Sequence, residues 1–252
     1  AIQKAPALAN SRQRAVELME TYERLQAMDQ QRDEFIQNMT HDLKAPLTFI
    51  RGYAELMAEG GMGELTPEQS EALEIIQERT DAVSQLISDI LTMQQVESQP
   101  LEEIPFHIDE LAHKSVRNAR MAARVAGLDV SIEVESKDVL VKGDAARMEQ
   151  VFENLLSNAI KYSPNGGEIR VFVRADRGIA QISVADQGIG IPENEIEHIW
   201  DRYYRGAGTS TNGSGLGLAN VRRIIEAHGG RIWAQSQNLG TTFTFEIPLL
   251  TK

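Results

Sequence analysis

Apolar residues recur every three or four positions through much of the first hundred residues of this chain. Leu43, Leu47, Ile50, Ala54 and Met57 follow one another in alternating steps of four and three, the spacing of a coiled-coil or helix-bundle seam. Leu18, Tyr22, Leu25, Ile36 and Met39 carry the spacing upstream, where Asp29 and Arg32 interrupt it. Around His41 and Pro46 the steps Met39–Leu43–Leu47 are both fours, a stutter in the repeat. Pro46 and Gly52 are the helix breakers between about residues 11 and 59. "AEGGMGELTPEQ" then stops the helix, and Thr66 has the marks of an N-cap. Pro67 takes the first helical position after it and Gln69 closes a capping box. The spacing predicts a second helix to about Glu97, with Leu73, Ile76, Val83, Ile87 and Ile90 on one face. Two such helices make a hairpin that cannot bury both stripes by itself. The expectation is a dimeric four-helix bundle, with packing inside one chain as the alternative.

After "ESQPLEEIP" (97–105), which reads as a linker, the period changes. "LDVSIEV" alternates apolar and polar residues. "EIRVFVRAD" and "IAQISVAD" read as one antiparallel pair, "RIWAQSQ" and "TTFTFEIP" as a closing pair. Helical patterns fall between them at roughly 108–126, 144–161 and 216–228. Strands and helices in this order predict an α+β sandwich, with helices on one face of a mixed sheet.

Composition narrows the function classes. The 252 residues suffice for one large domain or two modest ones, and 42% hydrophobic residues supply a core. A formal charge of −12 argues against nucleic acid as a partner, since phosphate backbones need a basic surface. The absence of cysteine excludes disulfides and thiolate chemistry. No apolar run approaches a membrane span, and no signal peptide is visible. The expected division is a signal-transmitting coiled-coil helix over 1–33, a helical domain over 34–99 and a mixed domain over 105–252. The abrupt start "AIQKAPALANSRQ" suggests a fragment whose upstream part is missing.

Three stretches carry candidate chemistry. In "ENLLSNAIKYS" (153–163), Asn154, Asn158 and Lys161 stand at i, i+4 and i+7, hence on one helical face. Such a stripe suits a solvated surface. It equally suits a site where an Asn carbonyl oxygen ligates Mg²⁺, a hard cation, and Lys161 balances phosphate charge. In "VADQGIGIP" (184–192), Asp186 ends a strand ahead of Gly188 and Gly190. This is either a plain turn or an acceptor for an adenine amino group, with glycines admitting the base. In "GSGLGLANVRRIIEAHGG" (213–230), Gly213, Gly215 and Gly217 precede an amphipathic helix, where backbone N–H groups and the positive helix end can meet phosphates. Neither the Rossmann nor the P-loop spacing is present. "IWDRYYRGAGTSTN" (199–212) reads as a mobile lid with an aromatic anchor.

Taken in order, these stretches resemble the sensor histidine kinases of two-component signalling over roughly residues 34–248. "FIQNMTHDLKAPL" is similar to the phosphoacceptor box and "QVFENLLSNAIKYS" to the asparagine box. "DQGIGIP" and "GSGLGLA" resemble the two glycine boxes, "IWDRYYRG" the aromatic box and "GTTFTFEIP" the closing strand. The resemblance implies an ATP-binding domain of the gyrase and chaperone ATPase (GHKL) type behind a dimerising phosphotransfer hairpin. The implied activity is ATP-dependent autophosphorylation of His41, with Asp42 as general base, followed by transfer to an aspartate of a response-regulator receiver domain. It further implies ATP and Mg²⁺ as cofactors, with Asn158 as the metal ligand and Asn154 as a second polar contact. Lys161, Tyr162, Asp186, Gly188, Gly190, Arg205, Gly213, Gly215, Leu216, Gly217 and Thr242 would make up the nucleotide site. A homodimer, an upstream sensory domain and a cytoplasmic location for this segment follow from the same likeness, which leaves upstream membrane attachment open.

The residues themselves bear on that reading. On a helix His41 lies about 200° from Leu43, so a core-facing Leu43 puts His41 toward solvent. Pro46 offers no N–H to the carbonyl of Asp42, and a bend is expected there. Asn cannot act as a base, so Asn154, where related ATPases carry a glutamate, fits transfer to His41 rather than hydrolysis. Two rivals are a nucleotide-binding scaffold (a pseudokinase) and a phosphotransfer protein with a degenerate ATP domain. Intact His41, Asn158 and glycine boxes weigh against both. One position departs from the family: Ala45 stands four residues after the histidine, where many relatives carry Thr or Asn.

Overall fold

A computed structural model describes residues 4–98, 101–206, 214–236 and 239–250 of the chain. The first helix, α1 (Lys4–Ala58), runs through Pro46 without a break. One lost hydrogen bond does not end it, because each residue on either side adds one as the helix propagates. Helix α2 (Pro67–Ser98) starts as its sequence predicts. Thr66 N–H donates to Gln69 Oε1 at 2.9 Å, and Gln69 N–H donates to Thr66 Oγ1 at 3.3 Å. This is a reciprocal capping box.

Contacts divide the chain into two units, Ala1–Ile87 and Ser88–Lys252, and the division falls inside α2. In the first unit Ala54 and Leu73 are buried, and Arg51 Nη1 of α1 meets Asp81 Oδ1 of α2 at 3.3 Å. The apolar stripes are covered in part. Leu47, Ala54, Met57, Leu73, Ile87 and Ile90 are buried or half-buried, whereas Leu43 and Ile50 are each 46% exposed and Ile76 and Val83 each 44%. Packing inside one chain therefore leaves part of the seam open.

The second unit is built on a five-stranded sheet ordered β2-β4-β5-β7-β6. Its strands are β2 (Leu128–Val134), β4 (Gly167–Asp176), β5 (Ile179–Ala185), β6 (Arg231–Ser236) and β7 (Thr241–Pro248). β2 and β4 are parallel and the other pairs antiparallel, so both strand pairs read from the sequence form. Alternation sets the faces. Ile169, Val171 and Val173 of β4 and Ala180, Ile182 and Val184 of β5 are buried, while the residues between them are more open. The core they form with β7 takes in one stripe of each of three helices: α3 (Ile108–Val125), α4 (Ala145–Lys161) and α5 (Gly217–Ala227). Phe152 of α4 meets Phe245 of β7 edge to face, 5.8 Å between ring centroids.

One piece of the fold departs from the sequence reading. β1 (Ile104–His107) pairs antiparallel with β3 (Leu140–Gly143) in a separate small sheet, so Ile104 and Pro105 are strand residues where a linker is expected. Each strand has four residues, too few to show a period. Among the described residues no helix is long and apolar enough to cross a membrane.

Candidate functional site

Helix α4 exists because its apolar residues repeat at helical spacing and Asp144 caps it, accepting from Arg147 N–H at 3.0 Å. With Val151, Leu155 and Ala159 buried, the helix turns its Asn154–Asn158–Lys161 stripe away from the core. Asn158 and Tyr162 line one wall of a cavity of about 280 Å³. Asp186, Ile189, Gly190, Ile191 and Pro192, in the turn after β5, line a second wall. Glu195, Ile199, Tyr204, Arg205, Gly206, Gly215, Leu218, Thr241 and Phe243 complete it. The cavity is thus mostly apolar with a few convergent polar groups, the usual make-up of a small-molecule site.

Asp186 is fixed by its own turn. Its Oδ1 accepts from Gly188 N–H at 2.9 Å and from Thr241 N–H at 3.1 Å. Burial pushes its pKa up, and these two bonds pull against that rise. Both bonds fall on Oδ1, so Oδ2 keeps its acceptor capacity.

The glycines serve packing as much as ligand access. A side chain at Gly188 would place its Cβ 2.1 Å from the carbonyl oxygen of Tyr162, which accepts from Ile189 N–H at 3.0 Å. Gly188 thus locks the Asp186 turn to the end of α4. Gly215 has φ +70°, and a Cβ there would meet the Tyr203 backbone at 2.7 Å. A Cβ on Gly217 would come within 2.6 Å of Asn154 Oδ1, so the Asn154 carbonyl faces the start of α5, while its Nδ2 donates to Gln150 O at 3.0 Å.

The expected site residues separate into groups. Asn158, Tyr162, Asp186, Gly190, Arg205 and Gly215 meet at the cavity. Asn154, Gly188 and Gly217 stand directly behind it, by the contacts just described. Lys161 places Nζ 5.1 Å from the centre of the Tyr162 ring. Leu216 is fully buried and its side chain belongs to the core. Thr242 does not line the cavity; its neighbour Thr241 does, because strand alternation turns the two side chains to opposite faces. Gly213, and residues 207–212 of the lid reading over 199–212, fall outside the described residues, as does the side chain of His41. Asp42 and Ala45 are exposed on α1. Sequence reasoning passed over Ile189, Ile191, Ile199 and Phe243 as lining residues, since apolar side chains of a cavity and of a core read alike. Among the described residues no group of three or more His, Cys, Asp or Glu side chains could hold a metal. A cation here would rest on amide oxygens and on a bound anion, which suits a hard, oxygen-seeking ion.

Comparison with known proteins decides the family. Residues 143–251 match the histidine kinase-, DNA gyrase B- and HSP90-like ATPase domain, and residues 31–99 the His Kinase A (phospho-acceptor) domain. The catalytic domain of histidine kinase ThkA superposes with a TM-score of 0.54 at 33% identity, over 58% of this chain and 95% of that one. The chain belongs to the sensor histidine kinases. Sensor histidine kinase WalK of Bacillus subtilis (strain 168) is 35% identical over 230 residues, 88% of this chain. That match spans 37% of the WalK kinase. Full-length histidine kinase ShkA, solved in complex with AMPPNP, aligns at TM-score 0.69 and 27% identity, over 87% of this chain and 46% of ShkA.

Proposed function

We propose that this chain is the catalytic portion of an ATP-dependent protein-histidine kinase that phosphorylates His41 and passes the phosphoryl group to an aspartate of a response regulator. The observation that carries the reading is the cavity itself. The asparagine helix, the Asp186 turn, the aromatic stretch and the glycine turn converge on one apolar pocket of about 280 Å³, downstream of a phospho-acceptor helix.

Asp186 accepts from the adenine amino group through Oδ2, while Ile189, Ile191 and Phe243 flank the base. Asn158 and Asn154 address the phosphates, with Lys161 and Arg205 supplying charge. Asn158 would hold Mg²⁺ through its side-chain oxygen, and the ion when bound would draw charge from the transferring phosphoryl group. A neutral His41 nitrogen attacks the γ-phosphorus as the bond to the β–γ bridging oxygen breaks, and ADP leaves. Asp42 orients the ring and takes up the proton its other nitrogen gives up. The new P–N bond is then broken by a receiver-domain aspartate, which becomes an acyl phosphate. ThkA has been solved in complex with the response regulator protein TrrA, which supports a partner of that kind. This reading places the segment in the cytoplasm, where ATP and receiver domains occur.

The test uses γ-labelled ATP with Mg²⁺. Label that is lost in acid and kept in base is expected on the native chain. His41→Gln should abolish it while ATP binding survives, because acceptor and cavity lie on different units. Label persisting in that variant would reveal another acceptor. Nucleotide binding without any label on the native chain would favour the scaffold reading.

A further inference from the structure

Within the second unit, the last turns of α2 are held to the start of α5 by buried polar groups. Asp89 is 4% exposed, and Thr92 and Gln94 beyond it are also buried. The Ser214 hydroxyl donates to Asp89 Oδ2 and accepts from Leu216 N–H at 3.1 Å. Asn220, 2% exposed, donates Nδ2 to the main-chain oxygen of Asp89 at 2.9 Å. The Asp89 carboxylate, the Ser214 hydroxyl and the Leu216 amide therefore form one chain of hydrogen bonds. It shapes the turn that delivers Gly215 to the cavity wall and opens α5 at Gly217.

This arrangement brings a fixed anion to a place where the nucleotide site needs another. The first amides of α5 form a positive helix end, and the turn in front of it carries Gly215, which lines the cavity. We propose that Asp89 is a positioning residue of the nucleotide site: its carboxylate and the phosphates of the bound nucleotide compete for the Ser214–Gly217 turn, so that phosphate binding loosens α2 from α5. The proposal rests on the kinase reading above. Two like charges near one helix end raise each other's energy, and more so in a partly buried setting than in water. Coupling of this kind is reciprocal. A shift of α2 that withdraws Asp89 must tighten the hold on the more highly phosphorylated nucleotide. The end of α2, within the second unit, is thereby coupled to ATP affinity.

The experiment measures dissociation constants of ATP, ADP and AMP for the whole chain, in chelator and again in Mg²⁺. In chelator the phosphates keep their full charge. Asp89→Asn, an isosteric change, should tighten ATP by about three-fold or more, ADP by less and AMP least. Mg²⁺ should shrink that gradation. Asp89→Ser, also neutral, should show the same gradation, whereas Asp89→Glu should keep the native ratios. Ser214→Ala breaks the hydrogen-bond chain but leaves the charge, and should move all three constants by a common factor. A uniform effect of both neutral Asp89 variants on the three nucleotides, or no effect, overturns the proposal, because a merely structural role makes no distinction by charge. A native chain that binds none of the three in Mg²⁺ defeats the kinase reading and this proposal with it.

Discussion

At Asp186 fold stability and proposed function pull in opposite directions. Burial holds its carboxyl above the usual range, with the bonds from Gly188 and Thr241 as a partial offset. An acid raised on folding contributes stability that is full below its unfolded pKa and is lost as pH rises through the folded one. Accepting from an adenine amino group needs the ionised form, so binding runs the other way. ATP affinity should therefore fall as pH is lowered, beginning above the range of an ordinary aspartate, about 3.9. Asp186→Asn should weaken ATP by about ten-fold, the scale of a hydrogen bond to a charged group, and flatten that pH dependence. Calorimetric titration of ATP across the acid range checks both, and equal affinity for GTP and ATP in the native chain would refute the role. Ala45 is the second informative residue. It lies one helical turn beyond His41, exposed, and its methyl group can neither donate nor accept a hydrogen bond. A hydroxyl or amide at this position, by contrast, could orient water for dephosphorylating a regulator. We expect weak phosphatase activity toward the phosphorylated regulator, raised by Ala45→Thr with autophosphorylation largely unchanged. Regulator dephosphorylation assays decide it; a strong native phosphatase that Ala45→Thr leaves untouched would sink the idea.

Among the elements, helix ends do the positioning. The capping box at Thr66 satisfies two amides that α2 would otherwise leave open. Thr66→Ala should cost about 1 kcal/mol of stability, read as a lowered midpoint in thermal or urea melting with the nucleotide constants unchanged. The start of α4 is held from another side. His228, at the end of α5, accepts from Asp144 N–H through Nε2 at 2.9 Å and bonds the carbonyl of Ile224 through Nδ1 at 2.7 Å. The two partners assign the proton to Nδ1. His228 thus joins the cap of the asparagine helix to the end of the helix behind the glycine turn. A Cβ on Gly143 would lie 2.2 Å from the His228 ring, which accounts for that glycine. This histidine is structural, in keeping with the missing acid-and-proline context that sets His41 apart.

For the whole molecule, the open question of its first unit is what covers the apolar seam. Leu43, Ile50, Ile76 and Val83 stay exposed in a single chain although they lie on the apolar stripes, and apolar side chains left open in this way suit an association surface. A second copy is expected to supply the same stripe and close a four-helix bundle. Light scattering at micromolar concentration should return twice the 28.0 kDa of one chain. A monomer would remove the bundle. The formal charge of −12 keeps such a particle soluble without setting its fold.

Local pattern alone determined most of the element map and much of the site. Period two placed β2, β4 and β5 within a residue or two, because each has one face more buried than the other, and strand-forming residues between turn signals did the same for β6 and β7. Period near 3.6 did the same for α3, α4 and α5, and Thr66, Pro67 and Gln69 together marked the start of α2. Asn158, Asp186 and Gly215 were legible because polar residues and glycines at strand and helix ends stand out against an apolar background. Other features arose only in three dimensions. β1 and β3 are too short to carry a period and find each other across more than thirty residues. Thr241 reaches Asp186 from 55 residues away, and which of Thr241 and Thr242 faces the cavity depends on the phase of β7, decided by its pairing with β5. Ile189, Ile191 and Phe243 line the cavity only because the folded chain leaves space beside them; the hydrophobic effect that buries such residues does not distinguish a core from a pocket wall. Asp89 is the extreme case: a polar residue on an amphipathic helix that meets the turn carrying Gly215 only through its contact with Ser214.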